Sequence, residues 1–167
     1  MPGRRVFFSF HYEQDVWRAT NVRNAGKVDA TTVAGWTDAS LWEEAKKKGR
    51  PEIERLIDVG LKGTSVTAVL IGSETASRPW VAYEIEKSIE RGNGLLGVRI
   101  HNIKNQDRHR SRRGKVPTAL SQGGYRVYEW NRSSFGRWVE YAALDAGKPC
   151  REHDREQCLI CRWLWWW

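Results

Sequence analysis

Residues 65–72, SVTAVLIG, are apolar on both of their alternating faces. A strand written this way has no side to give to water, so it belongs in the middle of a parallel sheet covered on both faces. The surrounding sequence supplies partners and covers. RRVFFSF (4–10), GLLGVRI (94–100) and YRVYEW (125–130) read as further strands, and TVAGW (32–36) as a short one. Helical segments lie between them. EQDVWRATNVRNAG follows the first strand, with Gly26 as its stop. Ser40 and Glu43 have capping-box spacing, so a helix is expected to begin just after Ser40. Pro51 suits the first turn of PEIERLIDVGL, whose Ile53, Leu56, Ile57 and Leu61 share a face before Gly63 ends it. SRPWVAYEIEKSIERG (77–92) and SFGRWVEYAAL (134–144) complete the set. This alternation predicts a doubly wound α/β fold, about five parallel strands with helices on both faces. Such sheets bind ligands beyond the carboxyl ends of their strands. The segments to watch are therefore Ser9 to Tyr12, Thr37 to Trp42 and Ser73 to Trp80.

At 167 residues the chain suits one domain. We expect that domain to span 1–147, with a Cys- and Trp-rich tail over 148–167 whose last five residues include four Trp. No apolar run approaches the length needed to cross a bilayer. The apolar stretch near the N-terminus, only about five residues, is shorter than a signal-peptide core. The expected location is the cytoplasm. Net charge is +8, and residues 104–115 hold Lys104, Arg108, Arg110, Arg112, Arg113 and Lys115 against Asp107 alone. A run of this kind is most often a solvated surface segment. No aromatic is interleaved to stack on bases, which argues against nucleic acid as the partner. Three cysteines, all late, do not make a secreted disulfide scaffold. Cys150, His153, Cys158 and Cys161 could in principle supply four zinc ligands, but free thiols are the better reading of so tight a spacing, and we expect no metal.

The helix at 77–92 carries the one constellation that suggests chemistry. Val81, Ala82, Ile85 and Ile89 form an apolar stripe, while Glu86, Lys87 and Glu90 point to water. Trp80 and Glu84, four residues apart, lie together on the flank between these faces. A helix start near the carboxyl edge of the sheet can look into a cleft, and its positive end suits a carboxylate that must stay ionised. Most glycoside hydrolysis needs two carboxyl groups, because an alkoxide leaves badly. Nicotinamide leaves NAD as a neutral molecule and needs no acid. One ionised Glu beside the ribose then meets the remaining demand, stabilising an oxocarbenium-like sugar, while an aromatic stacks on a ring of the ligand. On these two residues alone, a packed Trp with a surface Glu is the commoner arrangement.

Longer blocks alter that balance. RRVFFSFHYEQDVWRATNVRNAG, DASLWEEAKK, TSVTAVLIGSETASRPWVAYEIEKSIERGNGLLGVRIHNIK and YRVYEWN resemble, in order, the TIR-like proteins of the Thoeris anti-phage defence system. The resemblance covers roughly residues 4–145. It implies the flavodoxin-like TIR fold. It also implies an enzyme that cleaves the nicotinamide bond of NAD and makes an ADP-ribose-derived, cyclic messenger. NAD is then a substrate, and no cofactor is implied. A phage component would act as trigger, a separate effector would receive the messenger, and self-association is plausible. The family's catalytic glutamate, in its W-x-x-x-E segment, corresponds to Glu84, with Trp80 before it and Tyr83 beside it. The pocket lining corresponds to Ser9 and Phe10 at the end of the first strand and to Asp38 and Ser40 in DASLW. The basic loop and the Cys- and Trp-rich tail depart from the family's pattern.

Plainer roles stand beside these. Phe7 and Phe8 read as core and Phe10, at the strand end, as evenly balanced between core and site; Asp38 and Ser40 read as helix caps, Trp17 and Trp42 as packing, and His11 as structural. Glycines in dinucleotide-binding G-x-G-x-x-G spacing are absent, so a redox NAD enzyme is not expected. The alternative to the NAD-consuming enzyme is a non-catalytic TIR module acting through protein contacts.

Overall fold

The structure is a computed structural model that describes residues 4–25 and 39–146, with only the backbone described for 39–43. Four strands, β1 (Val6–Ser9), β2 (Val66–Ile71), β3 (Gly94–Arg99) and β4 (Val127–Glu129), form one parallel sheet in the order β1-β2-β3-β4. Among the described residues six α-helices accompany them, α1 (Tyr12–Arg23), α2 (Ala39–Lys48), α3 (Arg50–Leu61), α4 (Pro79–Glu90), α5 (Thr118–Gln122) and α6 (Phe135–Leu144), with one turn of 3-10 helix at Thr75–Ser77. Every strand expected within the described residues is present. The short strand at 32–36 lies outside them, as do Gly26, Asp38 and the tail with Cys150, His153, Cys158 and Cys161.

Side-chain alternation along the strands sorts the core into layers. Val6 and Phe8 of β1, Val66, Ala68 and Leu70 of β2, and Leu96 and Val98 of β3 face one way. They pack against Ala19 and Val22 of α1 and Phe135, Val139 and Ala142 of α6. On the other face, Val69, Ile71 and Leu95 meet Val81 and Ile85 of α4 and Leu120 of α5. Phe7 on that same face meets Ala45 of α2 and Ile53, Ile57 and Leu61 of α3. All six β2 residues are buried, as a strand apolar on both faces requires. Gly63 follows α3 at φ +76°, a left-handed stop that glycine reaches without steric cost.

Four local expectations change. Helix α2 includes Ser40 as its second residue instead of starting after it. Helix α1 ends at Arg23, where the Asn24 N–H bonds to Thr20 O and the Ala25 N–H to Val22 O. Ala82 is exposed, and its place on the sheet-facing side of α4 is taken by Ser88. Trp17 does not pack inside; it is among the exposed large side chains of α1.

Candidate active site at the start of α4

Ser9 is the last residue of β1 and is fully buried. Because Phe7 faces α3, alternation turns Ser9 to the same side, under α4. There its Oγ donates a hydrogen bond of 2.5 Å to Glu84 Oε2. Phe10, one residue on, turns the other way. It packs against the cluster shared by α1 and α6, and its ring lies 6.1 Å from that of Tyr12. Of the two strand-end residues anticipated at the site, the structure joins Ser9 to Glu84 and sets Phe10 against the opposite face.

Glu84 is half-buried as a residue, but its carboxyl is closely surrounded by protein. Desolvation pushes its pKa up to about 8, and the Ser9 hydrogen bond pulls weakly the other way. Among the described residues no charged group contributes to the shift. The expectation of a carboxylate kept ionised by the helix end therefore changes. Glu84 is the sixth residue of α4, beyond the first turn where the helix's positive end acts. In the unliganded protein near neutral pH this carboxyl is mostly protonated.

Trp80 and Tyr83 lie on the α3 side of α4. Both pack against the Phe7, Ile53 and Leu61 cluster, with their rings edge-to-face at 6.0 Å. The Arg50 guanidinium sits 5.9 Å from the Trp80 ring centre, and the Lys87 amine 5.6 Å from that of Tyr83. Tyr83 also lines an open groove along α3 with Pro51, Glu54, Asp58 and Val59. Neither aromatic is joined to Glu84 as Ser9 is. Ser40 lies in α2 with only its backbone described, and Asp38 lies outside the described residues.

Sequence reasoning missed the polar groups that seat α4. The Ser88 hydroxyl donates to the Glu84 carbonyl at 2.6 Å and lies 2.7 Å from Thr67 Oγ1. A Ser in line with Val81 and Ile85, and a Thr inside an apolar central strand, were the available signals. His11 is buried at the start of α1, accepts the Asp15 N–H on its carbonyl, and has no partner for Nδ1 among the described residues. No group of His, Cys, Asp and Glu that could hold a metal occurs among the described residues. No helix among them is long and apolar enough to cross a membrane.

A buried carboxyl held by one hydroxyl at the carboxyl edge of a parallel sheet can stabilise a cation, provided a ligand's positive charge favours its ionised form. Comparison with known proteins agrees with this fold. The family model described as "Thoeris protein ThsB, TIR-like domain" matches residues 7–105, a span that contains both Ser9 and Glu84. A curated relative from Bacillus cereus (strain MSX-D12), named "Putative cyclic ADP-D-ribose synthase ThsB1", is 43% identical over 153 residues, covering 85% of this chain and 77% of its own length. With four parallel strands, helices on both faces and the W-x-x-x-E glutamate docked on the first strand, the chain belongs to the family of Thoeris ThsB TIR-like domains.

Proposed function

We propose that this protein consumes NAD, breaking the bond between ribose and nicotinamide and closing the ADP-ribose portion into a cyclic signalling nucleotide. The observation that carries the reading is the 2.5 Å contact between Ser9 and the buried Glu84 carboxyl. The name of the 43% identical relative supports the same chemistry.

The chemistry follows from charge. NAD carries a pyridinium cation. Seated beside Glu84, it favours the ionised carboxylate and drives the proton off the side chain. As the C–N bond breaks, its electron pair returns to the ring, nicotinamide leaves neutral, and positive charge moves to the ribose. The carboxylate is then the counter-charge for that sugar in a site where water screens it poorly. Capture of the sugar by a nucleophile of the same molecule closes a ring; capture by water gives the linear product. Which one prevails depends on what is positioned within reach. Ser9 keeps the carboxyl aimed. Asp38, Ser40, Phe10, Trp80 and Tyr83 remain proposed contributors to substrate binding. The signal would pass to a separate effector, with a phage component as trigger.

The test is to incubate the full-length protein with NAD, alone and with lysate from phage-infected cells, and to quantify nicotinamide and the nucleotide product by mass spectrometry. The expected result is nicotinamide with a cyclic product, lost in Glu84→Gln, which keeps size and removes charge. Turnover by Glu84→Gln equal to that of the unaltered protein would sink the reading.

A further inference from the structure

Helix α4 lies on β1 and β2 through a stripe that is mostly apolar: Val81 and Ile85 are buried, and Ile89 is partly so. Apolar contacts are non-directional, so such a stripe defines its register loosely. Two polar rungs interrupt it. One joins Ser9 of β1 to Glu84, and the other joins Thr67 of β2 to Ser88. Ser9, Thr67 and Ser88 are all fully buried.

The spacing of the rungs follows from the geometry of strand and helix. Ser9 pairs in register with Val69, and Thr67 lies two residues back on the same face of β2. Two strand residues span about 6.6 Å. Glu84 to Ser88 is four helical residues, about 6.0 Å. The helix runs back between two parallel strands, so both rungs fit together in one register only. A slip that kept the apolar stripe covered would break both.

Proton bookkeeping gives the second rung a direction. Ser88 spends its only hydroxyl proton on the Glu84 carbonyl at 2.6 Å. Thr67 must therefore be the donor across the 2.7 Å contact to Ser88. Asn93, just past the helix, completes the chain. Its Nδ2 donates to Thr67 Oγ1 at 3.3 Å and to Thr64 Oγ1 at 3.0 Å, and its backbone N–H to the Ser88 carbonyl at 3.0 Å. The donors thus run from Asn93 through Thr67 and Ser88 to the backbone of Glu84, whose side chain Ser9 holds from the other direction.

We propose that Thr67 and Ser88 are positioning residues for Glu84: their buried hydroxyl rung sets the register of α4 on the sheet and hence the aim of the carboxyl. The inference rests on the reading of Glu84 as the group that faces the reacting sugar. Neither residue touches substrate. They act through the helix.

Thr67→Val keeps the shape of the side chain and removes the hydroxyl, Ser88→Ala removes its partner, and Thr67→Ser restores a hydroxyl. Full-length proteins are compared for NAD turnover under triggering conditions, with Glu84→Gln alongside and circular dichroism to verify folding. Thr67→Val and Ser88→Ala should lower kcat about tenfold or more, since small misplacements of a reacting group are costly, and leave KM within about twofold. Thr67→Ser should stay within about twofold of the unaltered protein in both. A second readout needs no turnover: carbon NMR of labelled Glu side chains should show the Glu84 titration moving toward the ordinary carboxylate range in Thr67→Val and Ser88→Ala, because a carboxyl that leaves its buried seat loses more desolvation than the lost Ser9 bond adds back. If either folded variant keeps both kcat and the Glu84 titration, or if Thr67→Ser fails as Thr67→Val does, the positioning role is wrong. If the unaltered protein and Glu84→Gln release nicotinamide equally, the reading of Glu84 fails, and the titration still decides whether the rung aims its carboxyl.

Discussion

Glu84 costs the fold something that a neutral side chain would not, and pH exposes that cost. Its pKa is about 8 in the folded protein against an ordinary 4.5. Between those values the folded chain holds a proton that the unfolded chain has released. Stability therefore falls as pH rises through this window, and the penalty is complete above about pH 8. Glu84→Gln has no such window. The two proteins should melt at similar temperatures near pH 5, and the Gln variant should melt higher at pH 9, by about 5 °C; equal slopes of melting temperature against pH would contradict the burial. On the proposed role of Glu84, catalysis runs the other way, because the ionised form is then the useful one. kcat/KM for NAD should rise with pH through about 8, reporting the free enzyme. The kcat profile should rise at lower pH, because bound pyridinium favours the carboxylate. Ser9→Ala removes the one hydrogen bond that lowers this pKa. It should move the kcat/KM midpoint further up, which a pH–rate series on that variant would show.

At the scale of elements, the sequence told much about the sheet and less about the site. β2 was legible because both of its faces are apolar, and the Glu84 segment because it follows that strand. The side to which each side chain turns was not. Ser9 and Phe10 are neighbours, and only the seating of β1 decides that Ser9 meets α4 while Phe10 joins the α1 and α6 layer. The polar rung was hidden for a similar reason: Thr67 and Ser88 are 21 residues apart, and nothing local pairs them. Trp80 was read with Glu84 on helical spacing, but α3 draws the indole onto its own cluster, with Arg50 beside the ring. Whatever it gives the proposed substrate site, Trp80 packs the amino end of α4 on α3. Trp80→Ala should lower stability by about 2 kcal/mol, less than a fully buried Trp would because the side chain is half-exposed. Urea unfolding measures this; a midpoint within error of the unaltered protein would show that the indole does not support the helix.

Across the whole molecule, the basic segment after β3 is held in place by a buried charge. Arg18 of α1, 5% exposed, donates to Ile103 O at 2.9 Å and His109 O at 3.2 Å, and pairs with Asp15 Oδ1 at 3.0 Å. Asp15 is 1% exposed, and its Oδ2 has no hydrogen-bond partner among the described residues. Desolvation raises its pKa, with Arg18 opposing. The seat is tight: a Cβ built on Gly72 would lie 2.0 Å from Asp15 Oδ2, and one on Gly114 would lie 1.8 Å from Gly72 O. One arginine thus ties the first helix to the loop beyond the third strand, while Lys104, Arg108, Arg110, Arg112 and Lys115 stay exposed. Arg18→Ala should act in two separable ways. Loss of the carbonyl contacts is independent of pH and should speed hydrogen exchange across 103–111. Loss of the counter-charge raises the Asp15 pKa further, so that part is absent at pH values where Asp15 is protonated even beside Arg18, and grows as pH rises through its already raised pKa. Breaking a buried pair from one side costs about 3–5 kcal/mol. The variant's deficit in unfolding free energy should therefore be smaller at pH 4 than at pH 7. Adding Asp15→Asn should recover the pH-dependent part and leave the fast exchange in the loop. A deficit that does not change with pH, or a loop that exchanges no faster, would mean that this ion pair does not hold the loop to the sheet.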